Sequence, residues 1–281
     1  MTAWQRFFRD RLAIASAVIV LLFVGGAIAA PLIAPYDPTQ QLPEGLTLQG
    51  SPVPPSQRFW LGTDLLGRDL LSRLLYGTRT SLLVGLVANS VAVLLGTFLG
   101  ALAGYLRGFL GEAIMRFTDL MMAFPALLLA IALAAILRPS LWIVALVIAL
   151  VNWVQIARVV YTQVTALVEQ QHIQAAYGLG ATRWQMLKWH LFPHLLPTML
   201  VWGTLGISTT VLQEATLSFL GVGVQPPTPS WGGIINESQS FLQSAPWLIF
   251  FPGLAILILA LGFNILGDGV RDALDPTERN R

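Results

Sequence analysis

Long uncharged stretches recur along the chain and determine its predicted architecture. Each stretch approaches or exceeds the roughly 20 apolar residues that cross a hydrocarbon core of about 30 Å. Lipid offers the backbone no hydrogen-bond partner, so a crossing segment must satisfy its own N–H and C=O groups, as a helix does. The pattern therefore predicts an all-α membrane protein with six transmembrane helices. The six stretches are Leu12–Ala34, Thr80–Leu106, Leu120–Leu137, Pro139–Ala157, Trp189–Gln213 and Ser238–Gly267.

Polar segments flank and separate these stretches and indicate how the chain is oriented. If both termini are cytoplasmic, eleven of the sixteen basic residues fall on the inner side, which satisfies the tendency of cytoplasmic segments to carry Lys and Arg. The predicted segments are a cytoplasmic N-terminus (1–11), a first transmembrane helix (12–34), an external Pro-rich segment (35–79), a five-helix transmembrane core (80–267) with a cytoplasmic loop at 162–190, and a cytoplasmic C-terminus (268–281).

The first stretch also has features of a secretory signal peptide. Arg6, Arg9 and Arg11 precede it, and Ala27-Ile28-Ala29 mimics a cleavage site. The uncharged run is nevertheless longer than the roughly 7–15 apolar residues of a signal peptide. The sequence favours an uncleaved membrane anchor.

Composition agrees with a membrane location and excludes several functional classes. Hydrophobic residues make up 55% of the chain and charged residues 11%, against about 25% charged in soluble domains, and the mean hydropathy is +0.69. A net charge of +2 is too small to predict nucleic-acid binding. Without cysteine the chain has no disulfide, thiolate metal site or cysteine nucleophile.

The loop at 162–190 predicts two short helices joined by a sharp turn. A helix suits the sequence up to Tyr177, and Gly178 and Gly180 end it because glycine accepts the left-handed conformation of a helix C-terminus. Thr182 and Gln185 fit a capping box, which predicts that a second helix starts there. We expect Pro193 and Pro197 to close that second helix before the next membrane span.

This loop resembles the coupling loop of ABC-type importer permeases. The family pattern is Glu-Ala-Ala, three residues, Gly, and then an apolar-Pro pair; here it reads Gln174-Ala175-Ala176, Gly180 and Phe192-Pro193, with Gln174 in place of the glutamate. In the family, small residues let an ATPase groove approach the backbone and glycine makes the bend. The residues that the resemblance assigns to ATPase coupling are Gln174, Ala175, Ala176, Gly180, Ala181 and Arg183.

Further blocks along the chain resemble the dipeptide/oligopeptide/nickel branch of that family, in particular its C-type permeases. The blocks are Leu61-Gly62-Thr63-Asp64 with Gly67-Arg68-Asp69, Met115-Arg116-Phe117-Thr118-Asp119 with Ala123-Phe124-Pro125, Glu214-Ala215-Thr216-Leu217-Ser218-Phe219-Leu220-Gly221, Pro226-Pro227-Thr228-Pro229-Ser230-Trp231-Gly232, Ala245-Pro246-Trp247 and Phe263–Pro276.

The resemblance implies a fold, a location and a set of partners. The fold would be a type I ABC importer permease bundle in the bacterial inner membrane. The partners would be a second homologous permease, two cytoplasmic ATPase subunits and an external solute-binding protein, with the lipid bilayer around them. Peptides are the first expected cargo, and nickel or other small solutes stay open.

The sequence predicts no enzymatic activity in this chain. A phosphate-binding Walker loop needs Gly-x-x-x-x-Gly-Lys-Ser/Thr, whereas the one lysine, Lys188, stands between Leu187 and Trp189. ATP hydrolysis is therefore expected in separate subunits. His190 and His194 lie four residues apart, but no third zinc ligand is evident, so interfacial histidines are the better interpretation. We assign no catalytic residue, metal site or cofactor.

Polar residues inside the predicted spans are candidates for the transport pathway, because they are costly at membrane depth. Glu214 either lines the pathway or makes a structural contact within the bundle. Asn152, Gln155 and Arg158 recur at three-residue steps along one helical face, which either faces the pore or contacts another helix. For Asp119, near the inner membrane edge, we expect a capping or arginine-pairing role.

Regularly spaced glycines in the second uncharged stretch predict a close contact between helices. Gly96, Gly100 and Gly104 lie at four-residue spacing, which predicts close packing of two helices.

The alternative function is a secondary transporter or channel that works without an ATPase. Such a protein commonly carries an inverted repeat and broken helices, and no repeat is evident in the sequence.

Overall fold

A computed structural model describes residues 3–106, 108–138 and 140–274, and throughout these ranges the regular structure is helical. The Pro-rich segment contains one short 3₁₀ turn, Pro43–Gly45. The helices are α1 (Ala3–Phe7), α2 (Arg11–Ile33), α3 (Leu70–Leu106), α4 (Gly108–Met122), α5 (Ala126–Ile136), α6 (Leu141–Val168), α7 (Gln171–Gly178), α8 (Arg183–Gln185), α9 (Phe192–Phe219), α10 (Trp231–Ser238) and α11 (Trp247–Leu274).

Five helices of the described chain are long and apolar enough to cross a membrane, and a bent pair makes a possible sixth. The five are α2, α3, α6, α11 and the continuous helical segment Met186–Phe219. Several extend well past the uncharged stretches. For example, α3 begins at Leu70, ten residues before Thr80, because helical hydrogen bonding continues beyond the apolar stretch.

The prediction of one unbroken helix over Leu120–Leu137 is wrong. α4 and α5 meet there at an angle of 88°. Pro125 has no N–H and disfavours the helical conformation at Phe124, so regular hydrogen bonding stops. The N–H of Phe124 instead donates to the carbonyl of Met121, three residues back, at 3.3 Å.

The prediction that Pro193 and Pro197 end the helix after the loop is also wrong. α8 continues through a π-helical segment, Met186–Leu191, directly into α9. The N–H of Phe192 donates to the carbonyl of Leu187, five residues back. Pro193 follows at the start of α9, where the change of bonding pattern tolerates its missing donor, and Pro197 lies inside the helix.

Glycines of α3 allow its backbone to touch that of α6, as the four-residue spacing predicts. A Cβ added at Gly96 would lie 2.6 Å from the carbonyl oxygen of Trp153, and one at Gly100 would lie 2.4 Å from that of Ala157. At Gly104 the added atom would lie 3.0 Å from the carbonyl oxygen of Tyr161. Helix crossing at this distance is possible only without side chains.

A buried ionic cluster holds the end of the Pro-rich segment against α3 and α10. Arg68 Nε lies 2.6 Å from Asp64 Oδ2, and Arg68 Nη2 lies 2.8 Å from Glu237 Oε2. Arg73 also pairs with both carboxylates, at 2.9 Å from Glu237 Oε2. Asp64, Arg68 and Arg73 are each at most 7% exposed. Two cations therefore share two carboxylates, of which Asp64 is buried and Glu237 is 27% exposed.

Two tryptophan N–H groups reinforce this attachment. The indole of Trp231, at the start of α10, donates to the carbonyl of Leu74 at 3.1 Å, and the indole of Trp247 lies 3.5 Å from the carbonyl of Thr63. Thr63 in turn donates to the carbonyl of Gly45 at 2.5 Å. The Pro-rich segment is therefore a folded element, fixed to the ends of the long helices.

Replacing Gly100 with leucine is expected to prevent the α3–α6 crossing, because the new side chain meets a backbone carbonyl that cannot move alone. Overpacking of this kind costs about 1–3 kcal/mol or more. The measurement is the yield of monodisperse protein in mild detergent and its thermal unfolding temperature. Gly25→Leu is the matched control, since no atom lies within 4 Å of a Cβ added there. Equal behaviour of the two variants would contradict the role of the crossing.

Arg73→Leu is expected to destabilise the protein by about 3–5 kcal/mol, because it leaves buried carboxylates with one cation instead of two. Thermal unfolding and protease resistance of residues 35–69 measure the effect. Arg58→Leu is the control, since its ion pair with Glu44 lies more than half exposed to solvent. The cluster does not hold the segment if both variants unfold at the same temperature.

Candidate functional site

The loop between α6 and α9 presents an exposed surface on a firmly anchored support. Ile173 of α7 is 1% exposed and Met186 is 2% exposed, so these side chains fix α7 and the start of the next helix to the bundle. On the opposite side, Gln174 and Ala175 are exposed, while Ala176 is half-buried. The small residues that the sequence assigns to coupling are therefore accessible to another protein.

The turn between α7 and α8 has the predicted geometry. Gly180 has a φ of +90°, a conformation that side chains disfavour, and the N–H of Ala181 donates back to the carbonyl of Ala176 at 3.1 Å. Thr182 and Gln185 form the predicted capping box: the N–H of Thr182 donates to Gln185 Oε1 at 2.8 Å, and the N–H of Gln185 donates to Thr182 Oγ1 at 3.3 Å. Arg183 begins α8, and its side chain lies outside the described part of the structure.

Two apolar residues beside this turn were not among the coupling residues predicted from the sequence. Leu179 is 89% exposed and Tyr177 is 65% exposed. Large apolar side chains that stay exposed in a polar loop indicate a binding surface. Only the structure shows that Tyr177 and Leu179 are exposed rather than buried. Behind them a cavity of about 480 Å³ separates α7 from the end of α3.

The polar face of α6 divides into a packed half and an exposed half. Asn152 and Gln213 of α9 exchange two amide hydrogen bonds, at 2.7 and 3.1 Å, so Asn152 joins two helices. Gln155 is exposed. Arg158 pairs with Asp119 of α4, and about 40% of each side chain is accessible. The expected arginine pairing of Asp119 is therefore confirmed.

Glu214 is fully buried where α3, α9 and the turn after α9 meet. Its two carboxylate oxygens accept hydrogen bonds from Ser81 Oγ at 2.6 Å and from Ser218 Oγ at 2.8 Å. Ser218 Oγ also accepts from the N–H of Val224 at 3.1 Å. This placement favours the structural alternative for Glu214 over a position on the pathway surface.

The histidines make local contacts with each other within the described residues. His194 Nδ1 lies 2.7 Å from the carbonyl oxygen of His190, and the rings of His172 and His194 are 5.9 Å apart. Within the ranges that the structure covers, no group of three potential metal ligands occurs. These side chains join α7 to the start of α9.

Comparison with known proteins places these features in a family. Residues 96–280 match the family described as "Binding-protein-dependent transport system inner membrane component", and residues 1–50 match "N-terminal TM domain of oligopeptide transport permease C". The dipeptide transport system permease protein DppC of Alkalihalophilus pseudofirmus is 42% identical, with 98% of this chain and 88% of that protein covered.

Two further relatives and a solved structure agree. The di/tripeptide transport system permease protein DppC of Pseudomonas aeruginosa is 40% identical over 99% of this chain and 92% of that protein. The glutathione transport system permease protein GsiD of Pectobacterium atrosepticum is 40% identical over 97% and 89%, respectively. A chain of the MetNI methionine ABC transporter in an inward-facing conformation superposes with a TM-score of 0.61 at 20% identity, covering 73% of this chain and 98% of that chain.

The solved structure shows a shared fold, and the relatives extend the likeness over nearly the whole sequence. The resemblance noted in the sequence is therefore confirmed, and with it an all-helical type I importer fold. The protein belongs to the family of binding-protein-dependent transport system inner membrane components, which are the membrane permeases of ABC importers.

Proposed function

We propose that this permease is one of two homologous subunits that carry peptides across the inner membrane, driven by two separate ATPase subunits. The exposed turn between α7 and α8 is the observation that carries the proposal. Three similar relatives bear names that specify dipeptides, di- and tripeptides, or glutathione. Short peptides are the cargo class common to these three names.

The ATPase would dock on the turn formed by the end of α7 and the start of α8. Gln174 and Ala175 offer accessible backbone, and Leu179 adds exposed apolar surface that a partner's groove would bury. The capping box and the buried anchor Ile173 keep this surface rigid. Rigidity matters because a flexible loop would absorb movement instead of transmitting it.

The accessible polar face would line the pathway shared with the second permease. Gln155 is exposed within the predicted span, where contact with lipid is costly, and the partly exposed ion pair of Arg158 with Asp119 lies next to it toward the inner edge. A water-filled cavity between two permeases removes that cost. The same groups offer hydrogen bonds and both charge signs to a peptide, whose ends carry one charge of each sign.

The orientation follows from the positive-inside tendency and from the coupling role. An even number of crossings, with the bent pair α4–α5 counted as one, puts both termini on the side of the α7–α8 turn, in the cytoplasm. The folded Pro-rich segment and α10 then face outward. This side would receive peptides from an external solute-binding protein.

The decisive experiment is purification of the tagged chain from its native membranes in mild detergent, followed by identification of the proteins that accompany it. A second permease and Walker-containing ATPases are the expected companions. Robust transport by this chain alone in liposomes, under an ion gradient and without nucleotide, would instead establish a secondary transporter or channel.

Ala175→Trp is expected to weaken ATPase docking by at least tenfold while leaving membrane insertion intact, because the new side chain stands on the exposed docking surface. Binding of the purified ATPase to reconstituted permease measures the change. Ala15→Trp, at an exposed position of α2, is the matched control. Tenfold corresponds to about 1.4 kcal/mol, a modest loss for one blocked contact. Unchanged docking and transport in Ala175→Trp would contradict the assignment of this turn.

Gln155→Leu is expected to lower peptide transport about fivefold without changing ATPase docking or the unfolding temperature. The exposed amide makes no hydrogen bond to another described residue, and one hydrogen bond to cargo is worth about 1 kcal/mol. Uptake of labelled dipeptide into proteoliposomes measures the effect. Leu150→Ala, at an exposed apolar position of the same helix, serves as the control. A pathway role is excluded if uptake stays at the wild-type rate.

A further inference from the structure

An apolar groove opens between the second half of α3 and the π-helical segment that leads into α9. It encloses about 460 Å³. Phe98 and Leu102 form one wall and Leu187 and Phe192 form the other. Phe98 is 64% exposed and Phe192 is 46% exposed, so the groove is open at the surface of the chain.

The mouth of this groove carries the chain's one lysine between two tryptophans. Lys188 is exposed and also lines the groove, and its ammonium lies 4.9 Å from the ring centre of Trp189. Trp184, which is 70% exposed, lines the groove as well. Tryptophan and lysine at the end of a membrane helix are typical of the boundary between lipid and water. The groove therefore runs from that boundary into the hydrocarbon region.

We propose that this groove binds an anionic phospholipid. Its phosphate pairs with Lys188 at the mouth, and one acyl chain fills the apolar interior. Cationic pockets between membrane helices recognise anionic head groups in this way. The exposed cation at the mouth favours a lipid over an apolar helix, because an ammonium pairs with a phosphate and an apolar helix offers it no partner.

The binding has a consequence for the coupling surface. The π-helical segment that forms one wall is continuous with α8, whose capping box fixes the α7–α8 turn. A lipid in the groove therefore stabilises the position of that turn relative to α3. This inference concerns the membrane and holds for any cargo.

The test uses the full chain in nanodiscs of phosphatidylcholine that contain a minor fraction of phosphatidylglycerol. After transfer to mild detergent, native mass spectrometry counts the phospholipids retained on each molecule. The wild-type chain is expected to retain phosphatidylglycerol in preference to phosphatidylcholine. Lys188→Gln is expected to lower that preference about fivefold, the effect of one cation near an anionic surface. Arg11→Gln, another exposed cation at the start of a membrane helix, is the matched control and should retain the preference.

A second variant tests the interior of the groove. Ala101→Phe places a ring inside the groove and is expected to abolish retention of the lipid while the chain stays monodisperse. The proposal is overturned if Lys188→Gln and wild type retain phosphatidylglycerol equally, or if Ala101→Phe retains the lipid. It is also overturned if Ala101→Phe leaves lipid retention unchanged but blocks association with a second permease, since a protein helix would then be the occupant.

Discussion

The contact between the backbones of α3 and α6 is the constraint on which the rest of the structure depends. Three glycines of α3 face carbonyl groups of α6 with no room for a side chain. Lipid provides no hydrophobic force that pushes membrane helices together, so association relies on close van der Waals packing. The crossing fixes the rotation of α6 about its own axis. Its other faces, including the one with Gln155 and Arg158, are oriented as a result.

The two ends of the bundle are fixed by different chemistry. At one end, buried arginines and carboxylates of the Pro-rich segment join α3 to α10, with a tryptophan indole as an additional donor. At the other end, single apolar anchors and a capping box hold a short exposed helix. An ionic cluster is directional and locks one arrangement, whereas a small apolar contact holds a surface that another protein can still reach. The division fits the proposed function, in which cargo arrives at one end and an ATPase acts on the other.

The sequence predicts those features that depend on local rules. Hydropathy locates the membrane helices, glycine spacing predicts that α3 packs closely on another helix, and Gly180 with Thr182 and Gln185 predicts the turn. The sequence does not reveal contacts between distant residues. Nothing local to Asn152 specifies Gln213 as its partner, and Glu237 lies more than 160 positions from Arg73. The effect of a proline on a helix was also not predictable from the sequence. Pro125 interrupts a helix, whereas Pro193 lies in a continuous one. The difference is that a π-helical segment before Pro193 shifts the hydrogen-bonding pattern.

The helical path from Arg183 to Phe219 is continuous, with a π-helical segment and Pro197 within it. At about 1.5 Å per residue it is roughly 50 Å long. If the path moves as one body, a small tilt at its Arg183 end becomes a displacement of several ångströms at its Phe219 end, because the displacement grows with distance from the pivot. The paired amides of Asn152 and Gln213 lie near the Phe219 end, so α6 moves with α9 or the pair separates. In the proposed function, this path would convert a push on one membrane face into lateral motion at the other.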